Sequence, residues 1–544
     1  MIIKRLYHTI LAICTIATPA VAKNLVPEKP STAPNYWCTW AAQNYLFGQG
    51  AASLEAAELE GGAGGRHAVE LMHEKRIFGD RGWIHFYPKI RGDLFLLLDN
   101  GYQVNPATST ELDPAKFPSF TGTPEERLKK LNDRIRAGGW RGLGLWLGPS
   151  TDEAYTRERL QWSRYAGVGY WKVDCLDNGF MLNRLGREVC PELIFEHALC
   201  SPNFNEGPNG RAPSDYGTGH RLSCLKHSNV MRIYDCDHPL RFSTTLDRVA
   251  SALKAASATT DAKGIVNCED EVYIGAVLGC SVGVFRSPQV GLRPSGDPDV
   301  FMAGPRMFKK RIDEVTRAVR WHRIAPPFSA CAAAVSVDDT VLSDSWTFRP
   351  GDTWDASKRG KTIIQSAPAR VARGVPLPEV QCDGEPPYVI AARHPNGAVA
   401  VGAQGRTRPD NAWFIPPAEV TLKLDEVPPA IGVFGRFRSL TFTFNKHLPP
   451  GAQIWAQDLA GDKATEISGR VKIDGQNLVV PGNLIDELGL SAATPADVSD
   501  PGLVFLLEQE APLSAATLHA RTMYVSPRGN DANSGAESRL TVLE

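Results

Sequence analysis

From Tyr36 to Phe285 the chain alternates between short apolar runs and amphipathic stretches. The runs are Tyr36–Trp40, Asp93–Asp99, Gly142–Leu147, Gly169–Asp174, Leu193–Glu196, Val230–Asp235, Ile265–Cys268 and Val282–Phe285. Short continuous apolar runs bounded by turn residues are the mark of strands covered on both faces, since neither face has to meet water. Helical patterns lie between several of them. Pro124–Ala137 opens with Glu125 and Glu126 and ends at Gly138 and Gly139. Asp152–Tyr165 follows Ser150 and Thr151, residues whose side-chain oxygens cap helix N-termini, and Thr244–Ala258 follows the sixth run. Repeated strand–helix alternation predicts a parallel sheet, and eight runs predict its closure into a (β/α)8 barrel over 36–330. A doubly wound open sheet is the competing fold. Closure is preferred because acidic residues recur at the C-terminal ends of the runs, where barrels carry their active sites. Met307–Ile324 reads as the closing helix.

Beyond residue 340 the period changes. Val420-Thr421-Leu422-Lys423-Leu424 and Ser439–Phe444 alternate apolar with polar, between Pro and Gly turns. That pattern predicts an antiparallel β-sandwich over 331–515. Residues 23–35 are Pro-rich and polar and read as a linker or extended arm. Residues 46–80 read as an insertion between the first two runs, with Gly61–Gly65 as a loop at the barrel mouth.

Composition narrows the function classes. The chain has 544 residues, 43% hydrophobic and 22% charged, with a net charge of −1. That near-neutral balance excludes nucleic-acid binding by bulk charge. Lys4 and Arg5, the apolar run Ile10–Ala17 and the small-residue motif Ala20-Val21-Ala22 read as a secretory leader over 1–22. An exported protein, periplasmic or extracellular, is expected. The leader's run is too short to cross a bilayer and no later segment is long and apolar enough, so no membrane span is expected. Ten cysteines follow the leader at irregular spacing without a C-x-x-C pair, which permits disulfides and argues against a zinc ribbon. No cofactor is expected.

Candidate chemistry sits at the ends of the runs. The fourth ends Lys172-Val173-Asp174, and a period of two puts Lys172 and Asp174 on one face. At a barrel rim that face is the site, where Lys172 would keep Asp174 ionised and bond a sugar hydroxyl. The sixth run brings Arg232, Asp235 and Asp237. Two carboxylates across a rim are what retaining glycoside hydrolysis requires: one attacks the anomeric carbon, the other protonates the leaving oxygen and then activates water. Asp174 is the candidate nucleophile and Asp235 the candidate acid/base, with Asp237 its rival. A structural ion pair or a helix cap is the bland alternative for each. Further rim candidates are Asp99 and Asn100 after the second run, Glu196 and His197 on the fifth, and Asn267, Glu269 and Asp270 around the end of the seventh. Trp37, Trp40 and Trp146 are candidates for an aromatic floor under a sugar, or equally for core packing. A Cys/His metal site drawn from Cys175, Cys236, Cys268, His197 and His238 is a weaker reading.

These motifs, in this order, resemble the α-galactosidase clan (glycoside hydrolase families 27 and 36). The segments that carry the resemblance are Asp93–Tyr102, Gly139–Trp146, Tyr170–Asp174 and Arg232–Asp235. The resemblance implies that Asp174 is the nucleophile, Lys172 a sugar-binding lysine and Asp235 the acid/base of a retaining exo-glycosidase. It also implies a carbohydrate substrate, with the clan's galactose-gripping motif falling on Asp99 and Asn100. Here Asn100 and Tyr102 replace the clan's second Asp and its Trp, and the spacing from Arg232 to Asp235 is one residue shorter. The sugar therefore stays open, with α-galactoside, α-N-acetylgalactosaminide and β-L-arabinopyranoside all in view. Met523–Asp531 resembles the opening of right-handed β-helix domains, so 516–544 reads as a tail or the start of one. The alternative to an enzyme is a glycan-binding barrel without turnover. Two carboxylates facing one pocket favour the enzyme; one carboxylate tied up in an ion pair favours the binder.

Overall fold

The computed structural model describes residues 23–44, 69–148, 150–174, 180–198, 218–233, 240–286, 288, 311–347, 360–408, 410, 413–448 and 451–508. The expected leader, the Gly61–Gly65 loop, Asp235, Asp237 and the 516–544 tail lie outside these residues.

Each of the eight apolar runs contains a strand: β1 Tyr36–Cys38, β2 Phe95–Leu98, β3 Gly142–Leu147, β4 Tyr170–Val173, β5 Ile194–Ala198, β6 Val230–Arg232, β7 Ile265–Asn267 and β8 Gly283–Val284. They form one parallel eight-stranded sheet in sequence order, with β8 returning to pair with β1. The remaining seam closes through a parallel bridge between Asn267 and Ser281. There the Cys268 amide donates to the Ser281 carbonyl, and the Ser281 amide to that of Val266, both at 2.9 Å. The sheet is a closed (β/α)8 barrel.

Helices follow the strands in turn: α1 Trp40–Asn44 and α2 Glu74–Phe78, then α3 Pro124–Ala137, α4 Glu153–Ala166, α5 Met181–Val189, α6 Thr218–His227, α7 Arg241–Ala256, α8 Val272–Leu278 and α9 Ile312–Ile324. α3 starts where its sequence says. Thr123 caps the Glu126 amide while the Glu126 side chain returns to the Thr123 amide, and Pro124 occupies the first turn, where an N–H would go unused. α4 is capped by Asp152 and stopped by Gly167 at φ 68°, a left-handed conformation that glycine adopts without steric cost.

Behind the barrel lies a strand-rich domain of mostly antiparallel sheets. One eight-stranded sheet is centred on Val399–Gln404, Ile431–Gly435 and Gly502–Glu508, and a five-stranded sheet on Ala418–Leu424 and Ser439–Phe444. Their facing apolar residues, among them Val401, Val433 and Phe505 from the first and Leu422, Phe442 and Val480 from the second, merge into one core. Three neighbour pairs run parallel, including Ala418–Leu424 with Ser439–Phe444.

The two parts are joined by buried charge. On α9, Arg317 makes a two-pronged bond to Asp458, Nε to Oδ1 at 2.9 Å and Nη2 to Oδ2 at 3.0 Å. Both side chains are at most 1% exposed. Arg311 pairs with Glu314 and Asp500, and Arg286 reaches Glu314 at 2.7 Å. Residues 23–35, expected as a linker or extended arm, form a packed arm. Leu25 and Val26 are buried, the Leu25 amide bonds Gln457 Oε1 at 2.6 Å, and the Ser31 amide bonds Asp93 Oδ1 at 2.6 Å. The arm thus ties the second domain to the barrel. Removing one partner from a buried ion pair strands the other charge, which costs about 3–5 kcal/mol. Arg317→Met is expected to lower stability by that amount, read from urea midpoints. An unchanged midpoint would mean that Asp458 finds other compensation.

Candidate active site

Parallel register fixes which residues share the barrel interior. Trp146 pairs with Lys172, Lys172 with Glu196, and Ala198 with Arg232. Since side chains alternate along a strand, Tyr36, Cys38, Phe95, Leu97, Tyr170 and Phe285 form an inward cluster. On the same parity above them come Asp99, Trp146, Lys172, Asp174 and Arg232. The interior is apolar and aromatic at one end and charged toward the C-terminal ends of the strands.

The charged layer holds two linked groups. In the first, Lys172 Nζ meets Asp99 Oδ2 at 2.8 Å, and the Cys38 thiol donates to the same oxygen at 3.0 Å. Asp99 Oδ1 accepts the Asn100 amide at 2.8 Å. The ammonium also lies 4.9 Å from the centre of the Phe285 ring. Burial, reinforced by Asp99, pushes the Cys38 thiol well above its ordinary range, so it stays protonated and donates.

In the second group Arg232, 1% exposed, faces three carboxylates among the described residues. Its Nη2 bonds Asp174 Oδ1 at 2.9 Å, its Nε faces Glu196 Oε1 at 3.9 Å, and its Nη1 faces Glu269 Oε1 at 3.7 Å. Glu196 is fully buried, and two hydroxyls donate to it: Tyr36 to Oε1 at 3.0 Å and Tyr170 to Oε2 at 2.7 Å. Burial raises the Glu196 carboxyl pKa, opposed by Arg232 and by the Tyr170 bond. Burial and the adjacent Glu196 charge raise both tyrosines well above theirs. Asp174 differs from these neighbours in its exposure of 36%, at the end of β4. It is a carboxylate open to solvent at the C-terminal rim, gripped from below by a buried cation.

The remaining candidates divide. Trp146 and Trp40 are half-buried against the inward cluster, and Asn100 is half-buried just after β2. Trp37 and His197 fall on the opposite parity and leave the site. Trp37 packs among Trp83, Phe86 and Trp140 outside the barrel, its indole donating to the Arg286 carbonyl at 2.9 Å. His197 Nδ1 meets Ser228 Oγ at 2.7 Å, and its ring meets Phe180 edge-on. Burial lowers its pKa to about 4, leaving it neutral. Asp270 is turned to the backbone, where its Oδ1 accepts the amides of Phe285 at 2.7 Å and Arg286 at 3.0 Å. Its φ of 57° is left-handed, a conformation Asp tolerates better than most residues. Asn267 Oδ1 takes the Gly283 amide at 3.1 Å and so helps close the barrel. Of the Cys/His set, Cys175, Cys236 and His238 lie outside the described residues. The seven described cysteines are free thiols.

The pairing of cations differs from the sequence expectation. Among the described residues, Lys172 pairs with Asp99, and the cation that meets Asp174 is Arg232. Tyr36 and Tyr170 were missed as parts of the site. The available signal was their inward parity, shared with Cys38 and Lys172.

No family model and no curated protein matches the chain. Among solved structures it is similar to a family-27 β-L-arabinopyranosidase from Geobacillus stearothermophilus, in complex with arabinose. That likeness has 10% identity and a TM-score of 0.35 over 89% of this chain and 98% of that one. It is also similar to the carboxyl transferase domain of Rhizobium etli pyruvate carboxylase (14% identity, 56% and 49% covered, TM-score 0.29). A third is the catalytic domain of family-30 xylanase C from Talaromyces cellulolyticus (9% identity, 89% and 99% covered, TM-score 0.28). At such scores and identities the likeness assigns no family.

Proposed function

We propose that the protein is a glycoside hydrolase that removes terminal sugars with retention of configuration, using Asp174 as nucleophile. The observation that carries this reading is the contrast within one layer of charge. Asp99, Glu196 and Glu269 are buried and engaged, while Asp174 stands 36% exposed at the rim with Arg232 fixing one of its oxygens. A nucleophile has to be oriented and reachable; Asp174 is bonded by Arg232 Nη2 at 2.9 Å and stands open at the rim. In the first step its oxygen bonds the anomeric carbon as the glycosidic C–O bond breaks and the acid's proton passes to the leaving oxygen. Water then attacks the same carbon, gives its proton back to that acid, and frees Asp174. The acid/base role goes to Asp235 on its sequence position, three residues beyond Arg232, with Asp237 as rival. Lys172 and Asp99 are buried and paired with each other below the mouth, where they underlie the sugar site, while the half-buried Trp40 and Trp146 are suited to lying against the ring's apolar face. The leader-like segment supports an exported protein whose reaction takes place outside the cytoplasm.

One observation favours the second reading, a glycan-binding barrel without turnover: Asp174 is ion-paired. The two readings separate in a turnover screen of the purified chain. The substrates are aryl α-galactoside, α-N-acetylgalactosaminide, β-L-arabinopyranoside and α-glucoside, with NMR to identify the anomer formed first. Release from one sugar with retention is expected. Inversion would remove the nucleophile role from Asp174. Calorimetric sugar binding without release from any substrate would establish the binder.

A further inference from the structure

We propose that Glu196 is a positioning residue for Asp174, acting through Arg232, and not a substrate contact; the catalytic part of this inference rests on Asp174 being the nucleophile. Glu196 has no exposed surface, so a sugar at the rim cannot reach it. Both its oxygens accept tyrosine hydroxyls, a pattern that fits the ionised form. Those hydroxyls come from β1 and β4, so the carboxylate is pinned from two strands. Its Oε1 lies 3.9 Å from Nε, and Nη2, on the same edge of the guanidinium, bonds Asp174 at 2.9 Å. At 3.9 and 3.7 Å Glu196 and Glu269 act on the guanidinium by charge and not by hydrogen bonds, and their attraction favours the orientation that faces Asp174. The fold makes room for this arrangement at Gly283. A Cβ there would lie 2.4 Å from the Tyr36 hydroxyl, the same hydroxyl that holds Glu196.

Among the described residues, the titratable groups that face this assembly are Tyr36 from β1, Arg141 before β3, Tyr170, Lys172 and Asp174 from β4, Arg232 from β6, and Glu269 after β7. Lys172 is itself paired with Asp99. The Glu196 charge draws part of the guanidinium field away from Asp174 and also repels Asp174 directly. Removing the Glu196 charge removes both effects.

Glu196→Gln keeps the shape and deletes the charge. The acid limb of the kcat/KM profile is expected to move down by about half a pH unit or more. A fall in kcat of roughly tenfold to a hundredfold is expected from loss of orientation, with KM within about twofold. Titration of the Asp174 carboxyl by 13C NMR on aspartate-labelled protein should show the same downward shift without any substrate. Tyr170→Phe removes one donor, favours neutral Glu196 and should shift both readouts in the same direction by less. It also serves if Glu196→Gln does not fold. A rise in KM of tenfold or so with an unmoved acid limb would make Glu196 a substrate contact and overturn the proposal. So would an Asp174 titration identical in wild type and variants. A wild-type protein without turnover would remove the glycosidase reading, while the NMR titration still decides whether Glu196 sets the state of Asp174.

Discussion

Asp174→Asn is expected to lower turnover by at least about a thousandfold while leaving the fold intact. Asparagine has the same shape, and its carbonyl can still accept from Arg232 Nη2, so the rim geometry survives. The replacement removes the negative oxygen that bonds the anomeric carbon, and an amide is a far weaker nucleophile. Stability should barely change, because the side chain is 36% exposed and leaves no cavity. Arg232 would then face one fewer charge but still have Glu196 and Glu269 about it. Asp174→Gly goes further. It opens space at the reacting face, where azide at high concentration can take the nucleophile's place. Azide would bond the anomeric carbon as the aryl leaving group departs, giving a glycosyl azide of inverted configuration. Recovery of activity with that product would assign the role to Asp174 alone. An Asp174→Asn variant with more than about a tenth of wild-type activity would exclude it.

How far the sequence could be read depended on which physical signal each feature left in it. The eight barrel strands were legible because parallel strands covered on both faces are short unbroken apolar runs with few other readings. For the same reason their inward and outward faces were hard to tell apart. Trp37 looked like a sugar platform and His197 like a rim residue, yet parity turns both away from the interior. The parity was present in Tyr170-Trp171-Lys172-Val173-Asp174, where alternate residues are polar. Carrying it across the register to Glu196 and Arg232 needed the strand pairing, which sequence spacing does not give. The pairing of Lys172 with Asp99 joins β4 to the end of β2 across the barrel, a contact between residues 73 apart. No local pattern announces such a contact. The packed arm at residues 23–35 was hidden by its composition. Proline and polar residues read as linker, while its fixing points, Gln457, Asp93 and His322, lie far along the chain.

Acidification from about pH 8 to about pH 5 is expected to remove roughly 6 kcal/mol of stability through three buried histidines, about 2 kcal/mol from each. Burial lowers the pKa of His197 to about 4, His322 to about 3 and His394 to about 4, against an ordinary value of 6.5. Their surroundings explain the direction. His322 takes its bond from the neutral Asn35 amide, with Nδ1 2.9 Å from Asn35 Nδ2, and is further depressed by His394. His394 lies edge-on to Trp321 and Phe328, with Arg373 near enough to oppose a second positive charge. In the folded state all three stay neutral well below pH 6, whereas in the unfolded chain they protonate from 6.5 downward. The unfolded state therefore binds more protons in this window. Stability is fully present above 6.5, falls as the pH drops, and stops falling only near the folded values of about 4 and 3. Glu196, Asp486 and Asp497 have raised folded pKa values and work in the opposite sense, taking up protons in the fold before the unfolded chain does. As the pH falls they offset part of the loss, while Glu314 and Asp338, whose folded pKa values are, against burial, lowered by their arginine partners, add to it. Urea midpoints measured at each pH should give a slope approaching three protons near pH 5, or about 4 kcal/mol per pH unit. His197→Asn, which keeps a polar partner for Ser228, should remove about a third of that slope. Midpoints level between pH 8 and pH 5 would mean that these imidazoles are charged in the fold, each paired with an acceptor that stabilises the cation.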